Sequence, residues 1–454
     1  MSDLRQDKCF KNRLYIVIQG IMYRNIINRL IDWKNSISRK PLILFGARQV
    51  GKTYILKEFG NTHYDKCAYV NFDDNPLAQS IFSMDYDIPR IIRSLSALTE
   101  VHIGEGDTLI VLDEVQECPR GLGVLKYFCE NAPGYHVAVA GSFLGISMHQ
   151  GQSFPVGKVD IMRLFPLTFD EFLLAVGKEN LLGILKNGDY KTETALAPIF
   201  TDLLRQYFYV GGMPEAVAEY IASGNLQSVR KIQRDILQGY RNDFSKHAPA
   251  PEVPRLTMVW DSIPSQLAKE NKKFIYNVLK KGARAREFEL AIQWLEDAGV
   301  VYRVYRAAKP SLPLKFYEDI SAFKLFTTDV GLMGAMTDAP AAGILLSDDI
   351  FKEYKGAFTE LFVLSQLKAL DIPIYYHSSN ESSIEIDFLI QHDTAVIPVE
   401  VKAAENVRSK SLRTFIASHP GLKGLRFSLK SHDDQGWMVN LPLWSVNFCL
   451  QSWT

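Results

Sequence analysis

Gly46 and Gly51-Lys52-Thr53 stand four residues apart in "LILFGARQVGKT", the spacing of a phosphate-cradling loop. Glycine at those points lets successive backbone N–H groups face an anion with no Cβ in the way. The expected nucleotide-binding residues are Gly46, Ala47, Arg48, Gln49, Val50, Gly51, Lys52, Thr53 and Tyr54. Lys52 places a charge between the β- and γ-phosphates of ATP, and the Thr53 hydroxyl is offered to Mg2+. A glycine-rich turn with a solvated lysine is the bland alternative. An apolar run before the loop and the helical "YILKEF" after it argue against that alternative.

"DTLIVLDEVQECP" supplies the second part: four apolar residues of a buried strand, then Asp113-Glu114 at its C-terminal end. Asp113 is the expected Mg2+ holder through water, and Glu114 the residue that polarises an attacking water. "YHVAVAGSF" reads as another buried strand ending at Ser142, which either touches the γ-phosphate or caps the next turn.

A third constellation lies near the C-terminus, in "IEIDFLIQHDTAVIPVEVKA". Period two sends Val399 and Val401 one way and Glu400 and Lys402 the other. A hairpin would bring Asp387 to the same surface as Glu400 and Lys402, and the long helix at 349–370 would present Glu360 to it. Three carboxylates of this kind suit Mg2+ or Mn2+, with Lys402 orienting water or stabilising charge at a phosphate. A cross-strand acid–lysine pair is the plain alternative.

The elements that must hold these residues fill a chain of 454 residues, too long for a single core. Net charge is zero, so only local patches could attract nucleic acid. Five scattered cysteines without a C-x-x-C pair disfavour zinc and disulfides and point to a reducing, cytoplasmic setting. No apolar run has membrane-spanning length. Met22 opens the amphipathic helix "MYRNIINRLIDWKNS", so residues 1–21 are expected to be a translated upstream extension.

Helical periodicity runs through 170–250, broken at "GGMP" (211–214), and is expected to form a lid on the nucleotide domain, with "APAPEVP" (248–254) as a linker. Residues 269–309 carry ten Lys/Arg against five Asp/Glu and read as helix, turn, helix, strand, the layout of a winged helix that would contact DNA. A packing module with solvated basic faces is the alternative.

"MYRNIINRLIDWK", "GARQVGKT", "YVNFDD", "VLDEVQECP", "AGSF", "PVGKVDIMRLFPLTFDEFL" and "YFYVGGMPEAV" together resemble prokaryotic ATP-binding proteins that join an AAA+-like P-loop domain to a C-terminal domain of unknown function. The resemblance implies a five-stranded parallel sheet with helices on both faces, and assembly with a neighbour's arginine as a finger. Such proteins usually carry Gly-Arg before "PLTFDEFL"; here the pair is Gly157-Lys158, and Arg163 reads as a strand-face residue, so no finger is assigned. The "TE", "EID" and "VEVKA" segments resemble the C-terminal domain of the same proteins, with a PD-(D/E)XK nuclease-like fold.

The expected fold class is therefore multidomain α/β. It comprises an N-terminal extension and helix (1–36), an AAA+-like domain (37–175), a helical lid (176–250), a winged-helix-like module (251–310) and a restriction-endonuclease-like domain (311–454). The expected function is an ATPase whose cycle controls a module that binds, and in its active form cleaves, nucleic acid. The alternative is a regulatory or scaffolding ATPase with a silent nuclease-like domain that binds a protein partner; homo-oligomerisation is left open. A metabolic kinase is disfavoured, since no small-molecule acceptor site is visible.

Overall fold

The computed structural model describes residues 22–454 except 74, 119, 142–144, 146–153, 270–271, 346–351, 380–383, 404–408 and 453–454. Ser142 and the extension at 1–21 lie outside the described residues. The chain divides into two compact units. One is Arg24–Phe165 with Gln293–Val300; the other contains Pro166–Ile292 and Val301–Thr454.

The first unit is built on five parallel strands: β1 (Leu42–Phe45), β2 (Lys66–Asn71), β3 (Thr108–Asp113), β4 (His136–Ala140) and β5 (Asp160–Arg163), in the order β2-β3-β4-β1-β5. This is the five-stranded parallel sheet that the resemblance implied. The apolar runs of β3 and β4 are wholly buried, as parallel strands covered on both faces require. Ile43, Ile110, Leu112 and Val139 face Ile91, Leu95, Leu122 and Phe128 from the helices Ile88–Thr99 and Gly121–Asn131 in one core. β1 sits inside the sheet, so the loop that follows it emerges at the sheet's C-terminal edge, where α/β folds place ligands.

The second unit holds an eight-stranded mixed sheet in the order β12-β13-β11-β10-β9-β8-β6-β7. Its strands are β6 (Val301–Ala307), β7 (Glu318–Thr327), β8 (Ile374–Ser378), β9 (Glu385–His392), β10 (Ala395–Val401), β11 (Gly424–Ser428), β12 (Asp433–Asp434) and β13 (Met438–Pro442). β9 and β10 form the expected hairpin, in register from His392↔Ala395 to Phe388↔Val399. Its two-residue turn places Asp393 at φ 47°, a left-handed conformation that Asp tolerates.

Two expectations change here. Residues 301–307 and 318–327 pair as a hairpin, and β6 also bonds β8. They are the edge of the large sheet rather than the wing of a separate module, and the boundary expected at 310 falls inside the hairpin. Before them, residues 276–278 form only a 3-10 turn, so the stretch has one α-helix, Ala285–Asp297, instead of two.

The helices expected as a lid belong with this second unit. Phe169 packs edge-on against Tyr207 and Phe362, and its N–H donates to Gln366 at 2.7 Å. The Trp444 indole donates to Glu193 at 2.7 Å. The "GGMP" turn is fixed by Asp329, which caps the helix Val330–Met336 and accepts the Gly212 N–H at 2.6 Å. A Cβ on Gly212 would fall 2.2 Å from the Leu167 carbonyl, which explains why that position holds glycine.

Candidate nucleotide site and a lysine-filled carboxylate cluster

The loop Gly46–Gly51 has the distortions that a phosphate cradle needs. Gly46, Gln49 and Gly51 all have positive φ, and Gly51 leads directly into the helix Lys52–His63. The Lys52 ammonium donates to the carbonyls of Gly46 and Ala47, both at 2.9 Å. Burial pulls its pKa down to about 8, a shift that Glu114 and Asp113 partly offset.

Thr53 and Asp113 meet directly: the Thr53 hydroxyl donates to Asp113 Oδ2 at 2.6 Å. A hydroxyl and a carboxylate side by side at a strand end fit Mg2+, which accepts one or two protein oxygens and keeps several waters. Glu114 adopts φ 50° and its Oε2 accepts from Gln116 at 2.5 Å. Sequence reading thus placed Lys52, Thr53, Asp113 and Glu114 around one strand end. Tyr54 is 44% exposed at the first turn of the helix. Arg48 and Gln49 sit at the exposed tip of the loop, whereas Ala47 and Val50 are buried beneath it.

Three supporting residues escaped the sequence reading. Arg24, 4% exposed, donates to the Val50 carbonyl at 3.0 Å and to the Phe165 carbonyl at 2.5 Å, tying the loop to the segment just after β5. Tyr69 donates to Asp113 Oδ2 at 3.0 Å from the neighbouring strand. Gly299, at φ 72°, lies so close to the loop that a Cβ would meet the Ala47 nitrogen at 3.1 Å. The only sequence signal for Arg24 is a cation placed just ahead of an amphipathic helix. Lys158 pairs with Glu130 at 2.9 Å on the surface and Arg163 is exposed on β5, so neither is drawn to the phosphate loop.

The second unit does gather Glu360, Asp387, Glu400 and Lys402. Asp387 Oδ2 accepts the Val401 N–H at 2.7 Å, Lys402 pairs with Glu400 at 3.1 Å, and Glu360 on the long helix shares a hydrogen bond with Asp387. The expected metal site, however, is not what they form. Among the described residues no three His, Cys, Asp or Glu side chains converge to hold a metal ion.

The reason is two lysines from distant sequence. Lys324 on β7, fully buried, pairs with Glu385 at 2.6 Å and also faces Glu360 and Asp387. Lys272 pairs with Glu360. Burial and the adjacent Glu360 carboxylate push Asp387 well above the usual carboxylate range. Four carboxylates (Glu360, Glu385, Asp387, Glu400) thus stand among Lys272, Lys324 and Lys402, with Arg426 on the neighbouring strand also acting on Glu400.

Residues 38–173 match the AAA domain family. Residues 201–343 match a domain of unknown function, DUF8612, and residues 355–443 match another, DUF4143. An uncharacterized protein of Methanocaldococcus jannaschii is 23% identical over 422 residues, covering 90% of this chain and 86% of its own. Among solved structures, a Walker-type ATPase of Pyrococcus abyssi aligns over 70% of this chain and 96% of its own, at 14% identity and TM-score 0.45. The Aeropyrum pernix Orc1 protein in complex with DNA covers 70% and 93% at 14% identity and TM-score 0.26. The first unit is an AAA-like ATPase domain. Among the described residues no helix is long and apolar enough to cross a membrane.

Proposed function

We propose that this protein is a regulatory ATPase whose nucleotide cycle sets the state of a C-terminal binding module. One observation carries the reading. Residues 293–300 cluster with the phosphate loop, while the chain on either side of them, 285–292 and β6, belongs to the other unit. Gly299 lies against Ala47, so a loop that rearranges around phosphate displaces the backbone that enters β6. Lys52 would exchange the Gly46 and Ala47 carbonyls for the phosphates, and Asp113 and Thr53 would hold the Mg2+ that supplies charge neutralisation there.

The module is read as nuclease-like in fold and catalytically silent, because its carboxylates are already neutralised by lysines. Its ligand is then a partner protein. Hydrogen exchange tests the switch: ATP should alter the exchange of residues 285–307 in the wild type and not in Lys52→Ala. Identical exchange with and without ATP would rule it out.

A second reading, binding and cleavage of nucleic acid, is favoured by the Glu400 Oε2 atom, which is buried without a hydrogen-bond partner. It requires Lys272 and Lys324 to leave their carboxylates. Nicking of plasmid DNA with Mg2+ or Mn2+ by the wild type but not by Asp387→Ala would establish it and refute the silent module.

A further inference from the structure

Gln116 follows the strand-end acids in "VLDEVQECP", on the turn where β3 stops. Glu114 takes a left-handed conformation, φ 50° and ψ 43°, which few residues other than Gly, Asn and Asp adopt, and the chain enters the 3-10 turn Val115–Glu117. Two hydrogen bonds close that turn: Glu117 N–H to the Glu114 carbonyl and Cys118 N–H to the Val115 carbonyl, both at 3.0 Å. Val115 anchors it from below, fully buried in the core of the first unit. A Cβ on Gly121 would fall 2.6 Å from Val115 Cγ2, so glycine leaves room for that anchor.

The anchored turn folds Gln116 back against Glu114. Its Nε2 donates to Glu114 Oε2 at 2.5 Å. A carboxylate only accepts, so this contact sets the amide's orientation and makes the oxygen the atom left over. That oxygen, Oε1, is buried and has no hydrogen-bond partner among the described residues. An acceptor buried in that way costs about 1–3 kcal/mol. Gln116 therefore commits its donor to the acid expected to polarise water and holds an unused acceptor beside it. Glu114 acts on the Lys52 ammonium more strongly than Asp113 does, which puts its carboxylate on the side where Lys52 would meet the phosphates.

A water that attacks phosphorus has two protons to hold and a lone pair to aim. One acceptor leaves it free to turn about a single hydrogen bond, and two acceptors fix its direction. We infer that Gln116 is a catalytic residue of ATP hydrolysis, its Oε1 accepting a hydrogen bond from the attacking water while its Nε2 holds Glu114 to accept the other. The inference rests on Glu114 being the residue that polarises this water. In the step, the water oxygen bonds the γ-phosphorus as the bond from that phosphorus to the β–γ bridging oxygen breaks, and its electron pair leaves on ADP. The proton facing Glu114 passes to the carboxylate. The proton facing Gln116 stays on the new phosphate, so the amide is unchanged.

Steady-state hydrolysis by the full chain, with ATP affinity measured by calorimetry on the same samples, tests it. Gln116→Met keeps the length of the side chain and lacks both polar atoms. It should lower kcat by about tenfold or more and leave ATP affinity within about threefold of wild type, the split expected when an interaction serves the chemical step and not binding. Glu114→Gln should also hydrolyse slowly, and adding Gln116→Met to it should lower kcat little further, because two residues that hold one water act as a unit. Losses that multiply in the double variant, or an affinity that falls as far as kcat, would make Gln116 a prop of the strand end and overturn the inference. So would wild-type or faster turnover by Gln116→Met beside a slow Glu114→Gln, faster turnover meaning that the amide restrains Glu114. Wild-type turnover by Glu114→Gln would instead remove the premise about Glu114 itself. Gln116→Ala carries the same comparison if the Met variant does not fold.

Discussion

Replacing Lys324 with Met removes a buried charge and keeps most of the volume. At 2.6 Å from Glu385, the pair attracts by about 6 kcal/mol at an effective dielectric near 20. Part of that offsets desolvation, and breaking one side of a buried pair costs about 3–5 kcal/mol because the remaining charge is stranded. The loss depends on pH. Lys324 lowers the pKa of Glu360 and Asp387, so without it the folded variant holds more protons than the wild type, while the carboxylates are ionised in the unfolded chain above pH 5. A carboxyl whose folded pKa is raised makes the fold lose stability as pH rises, by about 1.4 kcal/mol per unit for each retained proton. For one extra proton retained by the variant, the deficit should grow by about 2 kcal/mol between pH 5.5 and 7. Exchange of the β9 and β10 amides under native conditions reads this as local opening. At pH 7 those amides should exchange over about 100-fold faster in Lys324→Met, and Lys324→Met with Glu385→Gln should recover much of the protection. An acceleration below tenfold that is the same at both pH values would refute the argument that Lys324 balances these carboxylates.

Arg24→Ala should weaken ATP binding about tenfold or more, since it removes two hydrogen bonds from a charged donor to the carbonyls that brace the loop; unchanged affinity by calorimetry would deny it that role. ATP binding at pH 8 should take up close to half a proton, because Lys52, held near a pKa of about 8 in the free loop, becomes fully charged between phosphates. Calorimetry in buffers of different ionisation enthalpy measures this uptake, and it should fade towards pH 6.5. Gly212→Ala should destabilise the second unit by about 1–3 kcal/mol, because the clash is with backbone that cannot yield easily; an unchanged urea midpoint would contradict that packing.

The first unit was legible because its signals are local. Strand, glycine loop and helix follow one another within 42–63, and the partner acids stand directly after a run of four buried apolar residues. Helices 169–247 were equally legible as helices, and their allegiance was not; the helix Val253–Leu267, which begins inside the expected linker, was not read. Whether Phe169 covers a nucleotide domain or packs on Phe362 depends on a pairing 193 residues apart, and amphipathic periodicity gives a buried face without naming what buries it. The hairpin at 301–327 shows the same ambiguity: an alternating strand beside a basic helix reads alike whether it ends as a wing or as a sheet edge.

The carboxylate cluster shows most directly where local reasoning stops. Period two predicted correctly that Asp387, Glu400 and Lys402 would share a surface, and the helix brought Glu360 to them. That pattern is compatible with either a divalent cation or lysines at the centre. What decides between them is Lys324, a single cation within "SAFKLFTT", and Lys272, each reaching the cluster from outside the hairpin. A lone lysine inside an apolar strand is itself a signal. An ammonium that stays fully charged when buried in a strand calls for a carboxylate opposite it, so "AFKLF" points to an acidic partner before the partner is known. Read together with "EIDF" and "VEVK", it changes the expected occupant of the site from a metal ion to a side chain. On the proposed reading of a silent module, the charge on Lys324, more than the acids themselves, is the feature to test.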